Sequence, residues 1–350
     1  MSVIAERAGA CPVPAGRQRK PLAWGLLLGL ALVGLVALAS LLVGSHPIPL
    51  EVALDALRHA DPHNDDHLIV RELRVPRTLV ALLAGLALGA AGTLMQAVTR
   101  NPLAEPGLLG VNAGAALAVI LGVALLDLAS VNQYILLAFL GAGVAGVAVF
   151  LLGQAGETGT NPVRLVLAGA GLSMLLASLT GIVVLNTPPQ VYDHFRHWAS
   201  GSLAVSNFAA LPLPALAIAA GLGLAAAIVP ALNALALGRD LGQALGVNLR
   251  LTWALACLAV MLLTGAATSI AGPIGFIGLV APHLARMLVG PDYRWVLPYS
   301  ALAAAGLLLG ADILGRVIAA PAEIAAGTLA LLLGGPCFIL LIRRFRLCTL

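Results

Sequence analysis

Between Leu22 and Val43 the chain runs for 22 residues without a charged side chain. That is enough α-helix to cross the roughly 30 Å hydrocarbon core of a bilayer. Comparable apolar segments recur along the sequence, at approximately 22–43, 78–98, 107–127, 132–153, 164–186, 208–235, 250–271, 274–290, 297–315 and 323–342. Inside lipid every backbone N–H and C=O must find a partner within the protein, so only helices and closed barrels span. A barrel strand alternates polar and apolar residues, and these runs do not. Composition agrees: 60% of the 350 residues are hydrophobic and 10% are charged, against roughly 45–50% and 25% in a soluble domain. The expected fold is an all-α polytopic membrane protein with about ten transmembrane helices over 22–343. A soluble enzyme, a nucleic-acid binder and a disordered chain are excluded. The first run exceeds the ~7–15 residues of a signal-peptide h-region, so it reads as an uncleaved span.

The sparse charges fix an orientation. With residues 1–21 as a cytoplasmic leader and 344–350 as a cytoplasmic tail, 13 of the 19 basic residues fall on cytoplasmic segments. This agrees with the positive-inside rule. The only lysine, Lys20, precedes Pro21, whereas a P-loop needs Lys followed by Ser or Thr. If ATP drives the chain, a partner binds it. The four cysteines, Cys11, Cys257, Cys337 and Cys348, suggest no disulfide framework.

The most polar stretch is an external segment at 46–77, with His59, His63 and His67 at four-residue spacing among Asp61, Asp65 and Asp66. Imidazoles one helical turn apart suit zinc or copper. Pro62 and Asn64 argue against a regular helix, and the segment reads primarily as a solvated loop. Arg74 and Arg77 follow on the side where positive charge is disfavoured, either snorkelling at the interface or meeting carboxylates of an external partner. The next turn, Thr99-Arg-Asn-Pro-Leu-Ala-Glu-Pro-Gly-Leu-Leu-Gly110, is flanked by Gln96 and Asn112, which need partners if buried. A cytoplasmic segment at 238–249 reads as a short helix stopped by Gly246. It suits a groove on a cytoplasmic partner. Asp312 and Arg316 share a helix face four residues apart and can neutralise each other.

Small residues at four-residue spacing (Gly25/Gly29, Gly85/Gly89, Gly110/Gly114, Gly306/Gly310) mark close helix packing. Gly141-Ala-Gly143-Val-Ala-Gly146 matches a dinucleotide fingerprint only formally, because no strand precedes it. The eighth span is interrupted by Gly272-Pro273, Gly275, Gly278 and Pro282, as in broken transporter helices. No nucleophile–base arrangement appears, so no catalytic residue, bound cofactor or metal ligand is assigned.

These stretches resemble the membrane-spanning permeases of ABC importers for iron–siderophore complexes, haem and cobalamin (the FecCD type). Arg74-Val-Pro-Arg77-Thr78, Thr99–Gly110, Gly272–Arg286, Ala311-Asp312 with Arg316, and Pro321-Ala-Glu323 with Gly327 carry the resemblance, which covers about 68–344. The resemblance implies a type II ABC importer permease in a bacterial cell membrane, pairing with a second permease, the same chain or a homologous one. It further implies two cytoplasmic ATPase subunits holding ATP and Mg, and an external substrate-binding protein. By position, Arg74, Arg77 and Arg316 match external arginines that meet glutamates of the binding protein. Gly238, Arg239, Asp240, Gln243, Leu245 and Gly246 match a coupling helix. Asn101 and Leu103 match an inner gate, to which the polar Gln96 is added. Gly242 departs from the usual Ala, and Asn161-Pro162 from a Ser/Thr pair, so the second inner gate is not carried over.

The expectation is alternating access by a permease with an iron(III)–siderophore cargo, haem or cobalamin being the family alternatives. An ion-coupled secondary transporter is the rival of a different class. It calls for ionisable residues at mid-span, whereas Asp127, Asp312 and Glu323 fall near span ends.

Overall fold

The computed structural model describes residues 19–59, 61–126, 128, 131–154, 161–204 and 208–344. The leader through residue 18, the tail from residue 345 and Asp127 lie outside the described residues. Fourteen α-helices are present among them: α1 (Arg19–Leu42), α2 (Leu50–Arg58), α3 (Asp65–Leu68), α4 (Val75–Thr99), α5 (Val111–Leu126), α6 (Val131–Gln154), α7 (Pro162–Leu185), α8 (Pro189–Ala199), α9 (Pro212–Ala236), α10 (Arg239–Ala244), α11 (Leu249–Ala271), α12 (Ile277–Val289), α13 (Tyr293–Ile318) and α14 (Ala326–Arg344). A six-residue π-helical stretch, Ile69–Arg74, joins α3 to α4.

Each of the ten expected segments coincides with a helix, but they are not equal. Seven stretches among the described residues are long and apolar enough to cross a membrane, including the continuous helical run Asp65–Thr99. Val111–Leu126 and Ile277–Val289 are shorter apolar helices, and α14 contributes the apolar stretch Ala326–Pro336 to its 19 residues. The reason is local. Before α5 a short 3-10 turn ends at Gly110, whose φ of +70° suits glycine. Before α12 the chain is unwound from Gly272 to Phe276.

Helix α4 is the axis of the bundle, with 19 of its 25 residues buried. Missing side chains set how near its neighbours come. A methyl on Gly85 would lie 2.4 Å from the Ala305 Cα, and one on Gly89 2.3 Å from the Ser300 carbonyl, both on α13. One on Gly92 would lie 1.8 Å from the Gly278 carbonyl of α12. Gly114 of α5 and Gly141 of α6 face each other in the same way, so the glycine run of α6 serves helix packing. Gly310, by contrast, meets open space. Around this core α1 turns Trp24, Leu28 and Leu35 outward, as a lipid-facing helix does.

The reading of 46–77 as a solvated loop is corrected. Helix α2 carries Ala53 and Ala56 three residues apart, and with Ile48 and Val70 they make a small separate core. The segment is therefore a folded cap at the end of α4. Asn64 takes part by accepting the Asp66 N–H at 3.0 Å as the N-cap of α3.

Candidate functional site: a charged end, a leucine-ridged end and a broken helix between them

At the end of the bundle that carries this cap, the π-helical stretch brings Arg74 and the first turn of α4 brings Arg77 toward the last turns of α13. Asp312, 1% exposed, accepts from Arg77 Nε at 2.8 Å and lies 2.7 Å from Arg77 Nη2. Its other oxygen is 3.1 Å from Arg316 Nη2, on the same face of α13 one turn on. Arg77 Nη1 also reaches Glu323 at 2.6 Å. Arg316 donates to the Ser40 carbonyl at 2.9 Å and to Ser40 Oγ at 2.7 Å, which ties α1 to α13. Arg74 donates to the carbonyls of Leu41 (2.6 Å) and His46.

Three arginines thus surround two carboxylates, an excess of one positive charge. The arginines are only 6%, 8% and 3% exposed for Arg74, Arg77 and Arg316, so none presents an open guanidinium. An incoming carboxylate must displace an acceptor already in place, and Glu323 is the exposed one. The pairing of Asp312 with Arg316 follows from their spacing. The additional partners Arg77 and Glu323 were not legible, being distant in the chain.

Two of the three histidines, His59 and His67, face opposite oxygens of Asp55, at 3.2 and 3.6 Å. His67 is buried and accepts the Asp61 N–H through Nδ1 at 3.3 Å. His59 and His63 stay exposed beside Asp55 and Asp61. Among the described residues no three His, Cys, Asp or Glu side chains are grouped to hold a metal ion.

At the opposite end, α10 is a six-residue helix framed by Gly238 (φ +124°) and Gly246 (φ +84°). Arg239, Asp240, Gln243 and Leu245 are exposed around it. Leu237, Leu241 and Leu245 are 65%, 53% and 63% exposed, an unusual apolar ridge beside charged groups. Gly242 is buried, and a methyl there would meet Leu235 of α9 at 2.7 Å. Glycine lets α10 lie flat on the end of α9, which accounts for its use in place of alanine. Asn161 is the N-cap of α7, accepting the Val163 N–H at 3.0 Å, with Pro162 opening the helix.

The turn after α4 also lies here. Asn101 Oδ1 accepts the Leu103 N–H at 2.9 Å, and both side chains are exposed. Gln96 is fully buried. It donates to the Leu279 carbonyl at 3.2 Å and accepts from Arg286, so it clamps α4 to α12. Asn112 accepts from Thr268 Oγ1 at 2.8 Å.

Sequence reasoning passed over Glu105. Its Oε1 accepts the Phe276 N–H at 2.9 Å, so the turn after α4 is joined to the unwound stretch before α12. Burial pushes the Glu105 carboxyl above the usual carboxylate range, and the Phe276 N–H pulls it partly back. The signal available in the sequence was an acid between two prolines opposite a Gly/Pro-broken span.

Comparison with known proteins places this architecture among transport proteins. The model of the FecCD transport family matches residues 31–344. The ferric enterobactin transport system permease protein FepD of Escherichia coli K12 is 46% identical over 318 residues, covering 90% of this chain and 94% of that protein. The hemin transport system permease protein HmuU of Yersinia pestis is 38% identical, covering 92% and 96%. A metal-chelate-type ABC transporter solved in an inward-facing conformation superposes with a TM-score of 0.79 at 27% identity, over 94% of this chain and all of that one.

Proposed function

The chain belongs to the FecCD transport family, and on that premise we propose that it is the permease subunit of an ATP-driven, binding-protein-dependent importer whose cargo is an iron(III)–siderophore complex. The match over residues 31–344, with 46% identity to the ferric enterobactin permease, carries the reading. A ferric citrate permease is 38% identical as well, so an iron(III) chelate is common ground among these relatives. The chain performs no covalent chemistry in this account.

The arginine end faces outward, where a binding protein docks. A carboxylate of that protein replaces Glu323 on Arg77, the exchange that costs least because Glu323 is the exposed member of the cluster. The exposed leucines of α10 seat in a groove of a cytoplasmic ATPase, and a second permease, the same chain or a homologue, completes the pathway. ATP and Mg are held by the ATPase. ATP-driven closure of the two ATPases moves α10, and through α9 and α11 the bundle alternates between outward and inward openings. The cargo passes as an enclosed ion, which fits walls that offer packing rather than metal ligands.

The test is uptake of radioactive iron(III) chelates by cells lacking this chain. Deletion abolishes uptake of at least one siderophore complex, and the plasmid-borne chain restores it. Unchanged uptake of hydroxamate, catecholate and citrate complexes, with loss of haem or cobalamin uptake instead, moves the cargo to the family alternative.

A further inference from the structure

We propose that Glu105 is a positioning residue of the transport pathway, holding Phe276 in a left-handed turn that aims its ring at α14. Helix α11 ends at Ala271 because Gly272, at φ +71°, passes so close to the Trp198 carbonyl that a methyl would lie 2.1 Å from it. Four residues later Phe276 adopts φ +66°. That conformation is costly for a side chain larger than glycine and persists only where the surroundings fix it.

Three contacts fix it. The Phe276 N–H is donated to Glu105 Oε1 at 2.9 Å. Its carbonyl accepts the Leu279 and Val280 N–H groups at 3.1 and 2.9 Å, which starts α12. Its side chain lies over Gly334, where a methyl would come within 3.0 Å, and its ring meets Phe338 edge-on with centroids 6.3 Å apart.

On the other side the same turn is seated on α12. A methyl on Gly278 would lie 2.9 Å from the Pro106 ring. The turn carrying Asn101 and Leu103 is thereby linked to α14 through one carboxylate and one aromatic ring. When the turn shifts, Glu105 shifts with it and the Phe276 ring is re-aimed along α14. The importer reading supplies the setting for this step, while the hydrogen bond and the strained backbone stand without it.

Gln has the length of Glu and still accepts an N–H, whereas Met has the length and accepts none, so the pair separates hydrogen bonding from shape. In the full-length chain in nanodiscs, Glu105→Met is expected to speed hydrogen exchange of amides 272–280 about tenfold, and Glu105→Gln to leave it within about twofold of the parent. Unchanged exchange in Glu105→Met overturns the proposal whatever the chain transports. In the assembled importer, Glu105→Met is expected to lower chelate uptake per ATP hydrolysed about tenfold, with Gln restoring it. Phe276→Ala, which leaves Glu105 in place, is expected to lower uptake per ATP similarly. Uptake per ATP that is unaffected in both Glu105→Met and Phe276→Ala also overturns it. Absence of ATP-driven uptake in the parent complex counts against the importer reading, and the exchange measurement still decides the role of Glu105.

Discussion

Asp312 accepts from two arginines and has almost no contact with solvent, so its removal leaves buried Arg316 with no carboxylate and Arg77 with Glu323 alone. Breaking a buried ionic network from one side costs about 3–5 kcal/mol. The pair of Arg77 with Glu323 has one side chain a third exposed, and exposed pairs contribute about 0–1 kcal/mol. Asp312→Ala is therefore expected to lower the unfolding temperature of the purified chain far more than Glu323→Gln does. Glu323→Gln is also expected to strengthen capture of the binding protein, because a neutral amide competes less than a carboxylate for Arg77. Equal thermal shifts, or weaker capture in Glu323→Gln, would contradict the assignment. At this scale the sequence was half legible. The spacing of Asp312 and Arg316 announced their pairing, whereas Arg77 lies 235 positions from Asp312 and nothing in a linear pattern says which helix ends meet. In the same way, the sequence marked Gln96 as needing partners if buried but not that both ends of its amide meet α12.

For the helices, glycine spacing was the informative signal, and it both over-counted and under-counted contacts. Gly85 and Gly89 do bring α4 against α13, but Gly310 shares the spacing and faces open space. Gly92, three residues after Gly89, belongs to no four-residue pair and yet makes a very close approach. Its methyl would lie 1.8 Å from the Gly278 carbonyl, where only backbone movement gives relief. Gly223 of α9 has nothing within 4 Å, and alanine is about 1 kcal/mol better than glycine in a helix. Gly92→Ala is expected to abolish or sharply destabilise the folded chain, and Gly223→Ala to keep or raise its unfolding temperature. Thermal unfolding of the two variants in detergent checks this, and an unharmed Gly92→Ala chain would refute the packing of α4 on α12. The folded cap at 46–77 was missed for a related reason. Its core joins Ala53 and Ala56 to only two larger side chains, Ile48 and Val70, a cluster too small to register beside ten long apolar runs.

For the molecule as a whole, the apolar runs announced the architecture, since lipid leaves so few ways to satisfy a backbone. The strength of each span was less legible. The apolar runs located α5, α12 and α14, and Gly272-Pro273 and Gly275 announced the break before α12, whereas nothing announced that the turn ending at Gly110 shortens α5. Function was legible where motifs were long, in the Thr99–Gly110 and Gly272–Arg286 stretches, and these are the parts that meet at Glu105 and Phe276. In the proposed importer this chain supplies movement and a partner supplies energy, so the most direct measurement is of the energy source. The permease assembled with its ATPases is placed in proteoliposomes with ATP and Mg inside and the loaded binding protein outside, and entry of radioactive iron(III) chelate is followed. Entry is expected to require hydrolysable ATP and the binding protein, and to be indifferent to proton or sodium gradients. Entry driven by an ion gradient without ATP would contradict the account and install the secondary transporter in its place.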